Sequence, residues 1–221
     1  MPFFSSCNRA PEGSVATAGN AHTDSLKEGP GSVEYLADIN ASYLDWEGAK
    51  LIGEGHGGRL KLSKGRVAVE NGLIVGGSIL VNMNSIEATD AGMDQASKTK
   101  LLAHLKGPDF FNTEHFPDAR FEITSVNPFM EPTIAEKERD TTRFTTIMPT
   151  HTITGNLTIK DSLRGITFPA RVVISDTSFL AEAKFIIDRS AWGVSYGTEK
   201  SLGDKMIRPE VKLSLRIKAK R

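Results

Sequence analysis

A single cysteine, Cys7, stands in the 221 residues, which excludes an intramolecular disulfide and every zinc site built on cysteine pairs. An excess of either charge is missing as well. Lys plus Arg and Asp plus Glu both number 27, so no global field draws the chain to nucleic acid or to an anionic membrane. No run approaches the roughly 18 continuous apolar residues of a spanning helix, and the segment Leu73 to Val81 is interrupted by Gly76, Gly77 and Ser78. Stability therefore has to come from a core. A chain of this length fits one β-barrel domain or two small domains and buries roughly 70% of its unfolded surface.

Chemical motifs are equally sparse. His22, His56, His104, His115 and His151 show no His-x-His or His-Glu-x-x-His spacing, so a metal site is not expected. There is no nucleophile elbow. Gly53-Glu54-Gly55-His56-Gly57-Gly58 resembles a phosphate loop only superficially, because it lacks the Lys-Ser or Lys-Thr pair and the following helix; its glycines suit a bent or closely approached strand. Asp188-Arg189 reads as a salt bridge or turn cap at a strand end in preference to an acid for catalysis.

Residues 8 to 32 carry almost no large apolar side chain and cannot offset ordering entropy by burial. Residues 1 to 32 are thus expected to form a flexible tether, dispensable for folding. Phe3-Phe4-Ser5-Ser6-Cys7 looks like the end of a bacterial lipoprotein signal, with Cys7 as the lipid attachment point. Only six residues precede Cys7, fewer than the charged start and apolar stretch of about 7 to 15 residues that such a signal needs, so a truncated or misassigned start is expected; the alternative is an ordinary thiol in a free tail.

From Val33 to the end the chain alternates short β-branched and aromatic runs with Gly, Asn, Asp and Pro turns, an all-β rhythm. Asn71-Gly72 between Val67-Ala68-Val69 and Leu73-Ile74-Val75 predicts a type I′ hairpin, which makes residues 58 to 86 consecutive antiparallel strands. Further strands are expected at Ala119 to Val126, Arg143 to Met148, Ile153 to Lys160, Ile166 to Ser175, Phe179 to Asp188 and Val211 to Ala219. With Glu34 to Ile52 they number about eight. Leu157 and Ile159, and Leu213, Leu215 and Ile217, alternate with polar residues, as one buried and one solvated face require. Gln95 to Lys106 breaks the pattern as a helix with Leu101, Leu102 and Leu105 on one side, stopped by Gly107-Pro108. The charged stretch Glu131 to Arg143 reads as a solvated loop. Eight antiparallel strands close into a sandwich or a barrel, and composition alone does not choose.

The choice rests on a resemblance. Leu101-Leu102-Ala103-His104-Leu105-Lys106-Gly107-Pro108-Asp109-Phe110-Phe111-Asn112, then His115-Phe116-Pro117-Asp118-Ala119-Arg120-Phe121, resembles the signature of the YceI-like family, with Phe116 where tyrosine is commoner. Ser42 with Trp46, Gly53 with His56, Gly72 to Gly77 leading to Met83-Asn84-Ser85-Ile86, Thr154 to Lys160, Thr167-Phe168-Pro169 and Ile187 to Val194 follow in the family's order. Asp161 stands where glycine is usual and Trp192 replaces the usual phenylalanine. The resemblance implies an extended eight-stranded antiparallel lipocalin-like barrel over residues 33–221 with a short helical lid. It also implies a bore that takes a polyisoprenoid or isoprenoid quinone lengthwise, no catalysis, no cofactor beyond the bound lipid, and export to the periplasm with a possible membrane tether through Cys7 and a possible homodimer. The expected ligand-binding residues are Trp46, His56, Ile79, Val81, Leu102, Leu105, Phe110, Phe111, Phe116, Phe121, Leu157, Ile159, Phe185 and Trp192. Two other readings compete: a barrel enzyme acting on a lipid-like substrate with His56 or His104 as base, and a stress-response interaction protein whose barrel is filled by side chains.

Overall fold

The computed structural model describes residues 14–51, 55–130, 148–199 and 206–221. Cys7, and most of the expected strand from Arg143, lie outside them. Among the described residues eleven strands and one α-helix follow in chain order: β1 (Ser14–Val15), β2 (Thr17–Gly19), β3 (Val33–Ala37), β4 (Tyr43–Lys50), β5 (Gly55–Glu70), β6 (Leu73–Ala88), α1 (Gln95–Lys106), β7 (Asp118–Pro128), β8 (His151–Ile159), β9 (Ser162–Ile174), β10 (Ser178–Asp188) and β11 (Ile207–Lys220).

From β5 to β11 each strand pairs antiparallel with the next. β11 returns to β5 through one wall position that β3 and β4 share end to end, since both pair with β11 on one side and β5 on the other. The result is a closed eight-stranded barrel. The shared position breaks at residues 38–42, where Asp38 accepts from the backbone N–H groups of Asn40 and Ala41 and Ser42 bonds the main chain of Lys218. These side chains replace the ladder bonds that the kink removes.

Local chemistry fixes the corners. Asn71 and Gly72 both take positive φ, as the expected type I′ turn requires. In the β8–β9 turn the positive φ falls on Lys160, not on Asp161, so aspartate replaces the family's glycine without left-handed strain. Gly58 shows the close approach expected of the glycine cluster: a Cβ there would stand 1.7 Å from the Glu87 carbonyl oxygen. α1 starts where Asp94 accepts from the backbone N–H of Ser97 at 2.9 Å, an N-cap. A short 3-10 turn, Arg189–Trp192, is capped by Asp188, which accepts from Ser190; Asp188 is therefore a turn cap and makes no ion pair with Arg189 in the structure.

Tyr35, Leu60, Leu62, Val67, Phe168, Phe179, Phe185 and Ile217 contribute to one continuous core inside the barrel. Phe168 and Phe185 stack with centroids 4.2 Å apart, and Phe121 tilts against Phe168 at 5.6 Å.

The N-terminal segment departs from the expectation of a free tether from residue 14 onward. β1 runs parallel to β10 and β2 antiparallel to β9, and Ala16 between them is 4% exposed within the core. Farther along, the backbone of His22 exchanges two hydrogen bonds with the side chain of Asn156, at 2.8 and 2.9 Å, and Glu28 pairs with Arg66 at 2.6 Å. Composition misleads here because backbone ladder bonds and one small buried side chain do the anchoring. Deleting residues 1–32 is expected to lower the melting temperature by several degrees, since each kcal/mol is worth about 2–4 °C in a chain of this size. An unchanged thermal melt would contradict the docking.

Candidate functional site

At the barrel end that carries α1, a cavity of ≈ 1010 Å³ lies between the helix and the rims of β4, β5, β6 and β11, at the upper end of the range for ligand pockets of about 300–1,000 Å³. Trp46, Ile86, Leu101, Leu105, Phe110, Phe111, Ile207 and Val211 supply its apolar lining, and His56, Asp90, Lys50, Lys100, Arg189 and Arg208 its polar one.

The apolar wall is assembled by the turn after α1. Gly107 and Pro108 end the helix, and the amides of Phe110 and Phe111 donate back to the carbonyls of Gly107 and Leu105, so both rings fold under the helix. Phe110 packs edge-on to Phe111 at 5.3 Å and to His104 at 5.6 Å, and His104 meets Tyr196 at 4.4 Å. His104 thus belongs to an aromatic cluster.

Arg189 anchors the opposite side. It is 3% exposed, and its guanidinium donates to the carbonyls of Val194, Tyr196 and Ile207 while lying 5.0 Å above the Phe110 ring. Desolvation holds its pKa below the usual arginine value, with the nearby Asp188 charge opposing the shift. Its bonds go to carbonyls, and no carboxylate lies within ion-pair distance of it among the described residues. His56 Nδ1 lies 3.3 Å from Asp90 Oδ2, a contact outside hydrogen-bond geometry, and Asp90 Oδ1 accepts from the backbone N–H of Gly57 at 3.1 Å. Trp46 Nε1 and Arg208 Nε are buried without hydrogen-bond partners.

Of the residues expected to bind a ligand, Trp46, His56, Leu105, Phe110 and Phe111 meet at this cavity. The others do not. Ile79, Val81 and Phe185 are buried core, and Leu102, Phe121, Leu157 and Ile159 pack partly buried against it. Phe116 is half-buried away from the lining. Trp192 is fully buried and donates from Nε1 to the Leu157 carbonyl at 2.9 Å, a structural bond that the usual phenylalanine has no donor to make. Sequence reasoning missed Ile86, Arg189, Ile207, Arg208 and Val211. The alternation of Ile207 and Val211 with polar neighbours carried a signal for the inward face but none for depth along the barrel.

His22 works through its backbone, His115 lies 3.2 Å from the Asn112 side chain and His151 2.8 Å from Thr150 Oγ1. None of these three lines the cavity. Among the described residues no group of three or more His, Cys, Asp or Glu side chains is placed to hold a metal ion, and no helix is long and apolar enough to cross a membrane.

The family model described as the YceI-like domain matches residues 35–219. BcnA from Burkholderia cenocepacia is similar in structure, with 19% identity and a TM-score of 0.61 over 83% of this chain and 99% of its own. A polyisoprenoid binding domain from Saccharophagus degradans, implicated in plant cell wall breakdown, is similar at 13% identity and a TM-score of 0.58 over 84% of this chain and 97% of its own. Identities this low establish the fold. No curated protein matches the sequence.

Arg189 donates to three carbonyls, and its bond to the Val194 carbonyl is buried; a buried carbonyl left without a donor costs about 1–3 kcal/mol. Arg189→Met is therefore expected to lower the unfolding free energy by at least about 2 kcal/mol in urea titrations, and Arg189→Lys to recover only part, because an ammonium cannot present the planar fork. Full stability of the methionine variant would contradict this role.

Proposed function

The chain belongs to the YceI-like family, and from that premise we propose that its barrel binds one long apolar lipid, a polyisoprenoid or an isoprenoid quinone, and carries or sequesters it without catalysis. The observation that carries the reading is the ≈ 1010 Å³ cavity between α1 and the barrel rim, with aromatic and aliphatic side chains on its walls. At roughly 25 cal/mol per Å² of apolar surface removed from water, a few hundred Å² supplies several kcal/mol without a polar anchor. The similarity to a domain that binds polyisoprenoids supports the same class of ligand.

Three buried polar atoms of the lining residues lack partners, the donors Trp46 Nε1 and Arg208 Nε and the acceptor Asp90 Oδ2. Buried polar atoms are rarely left so; an oxygen acceptor of a head group would satisfy the first two and a hydroxyl or water the third. The competing enzyme reading gains Asp90, whose Oδ2 lies 3.3 Å from His56 Nδ1 without a hydrogen bond between them. It lacks a free hydroxyl nucleophile: Ser97 is the one hydroxyl among the described lining residues, and its Oγ donates to Asp94 at 2.7 Å in the helix cap. The reading also places the protein in the periplasm, held to the membrane through a lipid on Cys7.

Organic extraction and mass spectrometry of protein purified from bacterial cells are expected to release a long apolar molecule at about one per chain or per dimer. Phe110→Asp with Phe111→Asp should abolish retention more completely than His56→Gln with His104→Gln, because a head-group hydrogen bond contributes only about 0.5–1.5 kcal/mol net. Circular dichroism and thermal melts must show that both variants are folded. Folded double-Asp protein that keeps its lipid while the double-Gln protein loses it would move the main anchor to the head group.

A further inference from the structure

We propose that residues 14–32 form a strap that closes a lateral slot in the barrel wall between β9 and β10, and that its release is the route by which the apolar ligand enters and leaves. This rests on the lipid-binding reading above.

The slot is visible in the register. β10 pairs with β9 from Phe179↔Ile174 to Glu182↔Arg171, and continuing that ladder would place Ile186 opposite Thr167. Instead Ile186 pairs with Val15, and Thr167 pairs with Thr17. The two strands have parted by one strand's width, and the chain's own N-terminal segment fills the gap, with Ala16 N–H donating to the Ile186 carbonyl at 2.8 Å. Two ladder spacings, about 10 Å, separate the strands there. An opening that holds a polypeptide strand also admits a single extended hydrocarbon chain. Behind it stand the stacked rings of Phe168 and Phe185, which an entering chain has to displace, and three residues beyond Ile186 the chain reaches the cavity beside α1 at Arg189. The family match covers residues 35–219, and the strap lies outside it.

Its attachments suit reversible release. Beyond the two short ladders the strap crosses the outside of the barrel, held by the His22–Asn156 bonds over β8 and by Glu28 on Arg66 of β5, both partly exposed. Glycines make the crossing possible: a Cβ at Gly165 would meet the Asn20 carbonyl oxygen at 2.4 Å, and one at Gly76 would meet the Glu28 carboxylate at the same distance. Between these two points a cavity of ≈ 340 Å³, lined by Asp24, Leu26, Arg120 and Glu122, lies beneath the strap. Few apolar contacts and solvent-accessible bonds are the marks of a segment that opens before the rest of the fold.

The test locks the strap. In a Cys7→Ser background, Thr17→Cys and Thr167→Cys occupy cross-strand partners on the outer face. Uptake of diphenylhexatriene, a rod-like apolar fluorophore without a head group, is followed by stopped flow in the oxidised and reduced forms, with lipid-stripped protein and melting curves as folding controls. The oxidised form is expected to reach the same final fluorescence but to load and release the probe about tenfold more slowly or slower still, as blocking a local opening requires. Reductant should restore the rate, and Glu28→Gln, which loosens the strap without touching the cavity, should speed it. Equal rates in the oxidised and reduced forms would overturn the lateral route and leave lipid binding intact. Absence of uptake by the unmodified protein would overturn the binding reading itself, and the slot proposal with it.

Discussion

A closed barrel has to give every backbone N–H and C=O of its wall a lateral partner, and the arrangement of this protein follows from where that demand is hard to meet. Seven strand positions, β5 to β11, are single strands joined in sequence by antiparallel ladders. The eighth is shared by β3 and β4, whose junction at residues 38–42 is rescued by the side chains of Asp38 and Ser42. At β9 and β10 the ladder ends after four residue pairs, and the unpaired edges beyond are closed by β1 and β2.

The same wall divides the interior into a filled part and an open part. Phe121, Phe168 and Phe185 pack ring against ring, and with Ile79 and Val81 they leave that stretch to side chains. Toward α1 the helix, Phe110 and Phe111 close over space that no side chain fills. Arg189 ties this end together by bonding the carbonyls of Val194, Tyr196 and Ile207, which positions the segment that faces the helix.

Much of this was legible in the sequence, and the failures have physical causes. Asn71-Gly72 demanded positive φ and received it; Gln95 to Lys106 forms the helix over those very residues, because the run ends at Gly107-Pro108. The placement of Phe110 and Phe111 under the helix followed from the family-like block that contains them. Ile79, Val81 and Phe185 were expected to bind the ligand, yet all three lie in the filled part, since a strand's sequence reports the face of a side chain and not its depth along the barrel. The strap was read as a tether because hydrophobic content does not register a segment anchored by backbone bonds and by residues as small as Ala16. Asp188-Arg189 was read as a salt bridge or turn cap at a strand end; Asp188 is the cap, whereas the partners of Arg189 are carbonyls that only the folded turn brings within reach.

The central claim is that the space beside α1 holds an apolar chain and not water. It is tested most directly by a high-resolution crystal structure of protein purified from bacterial cells without delipidation. The account predicts continuous tubular density bounded by Trp46, Leu105, Phe110 and Phe111, ending near Arg208. A cavity closed by inward rotation of those side chains, or occupied only by discrete waters hydrogen-bonded to His56, Asp90 and Arg208, would contradict it.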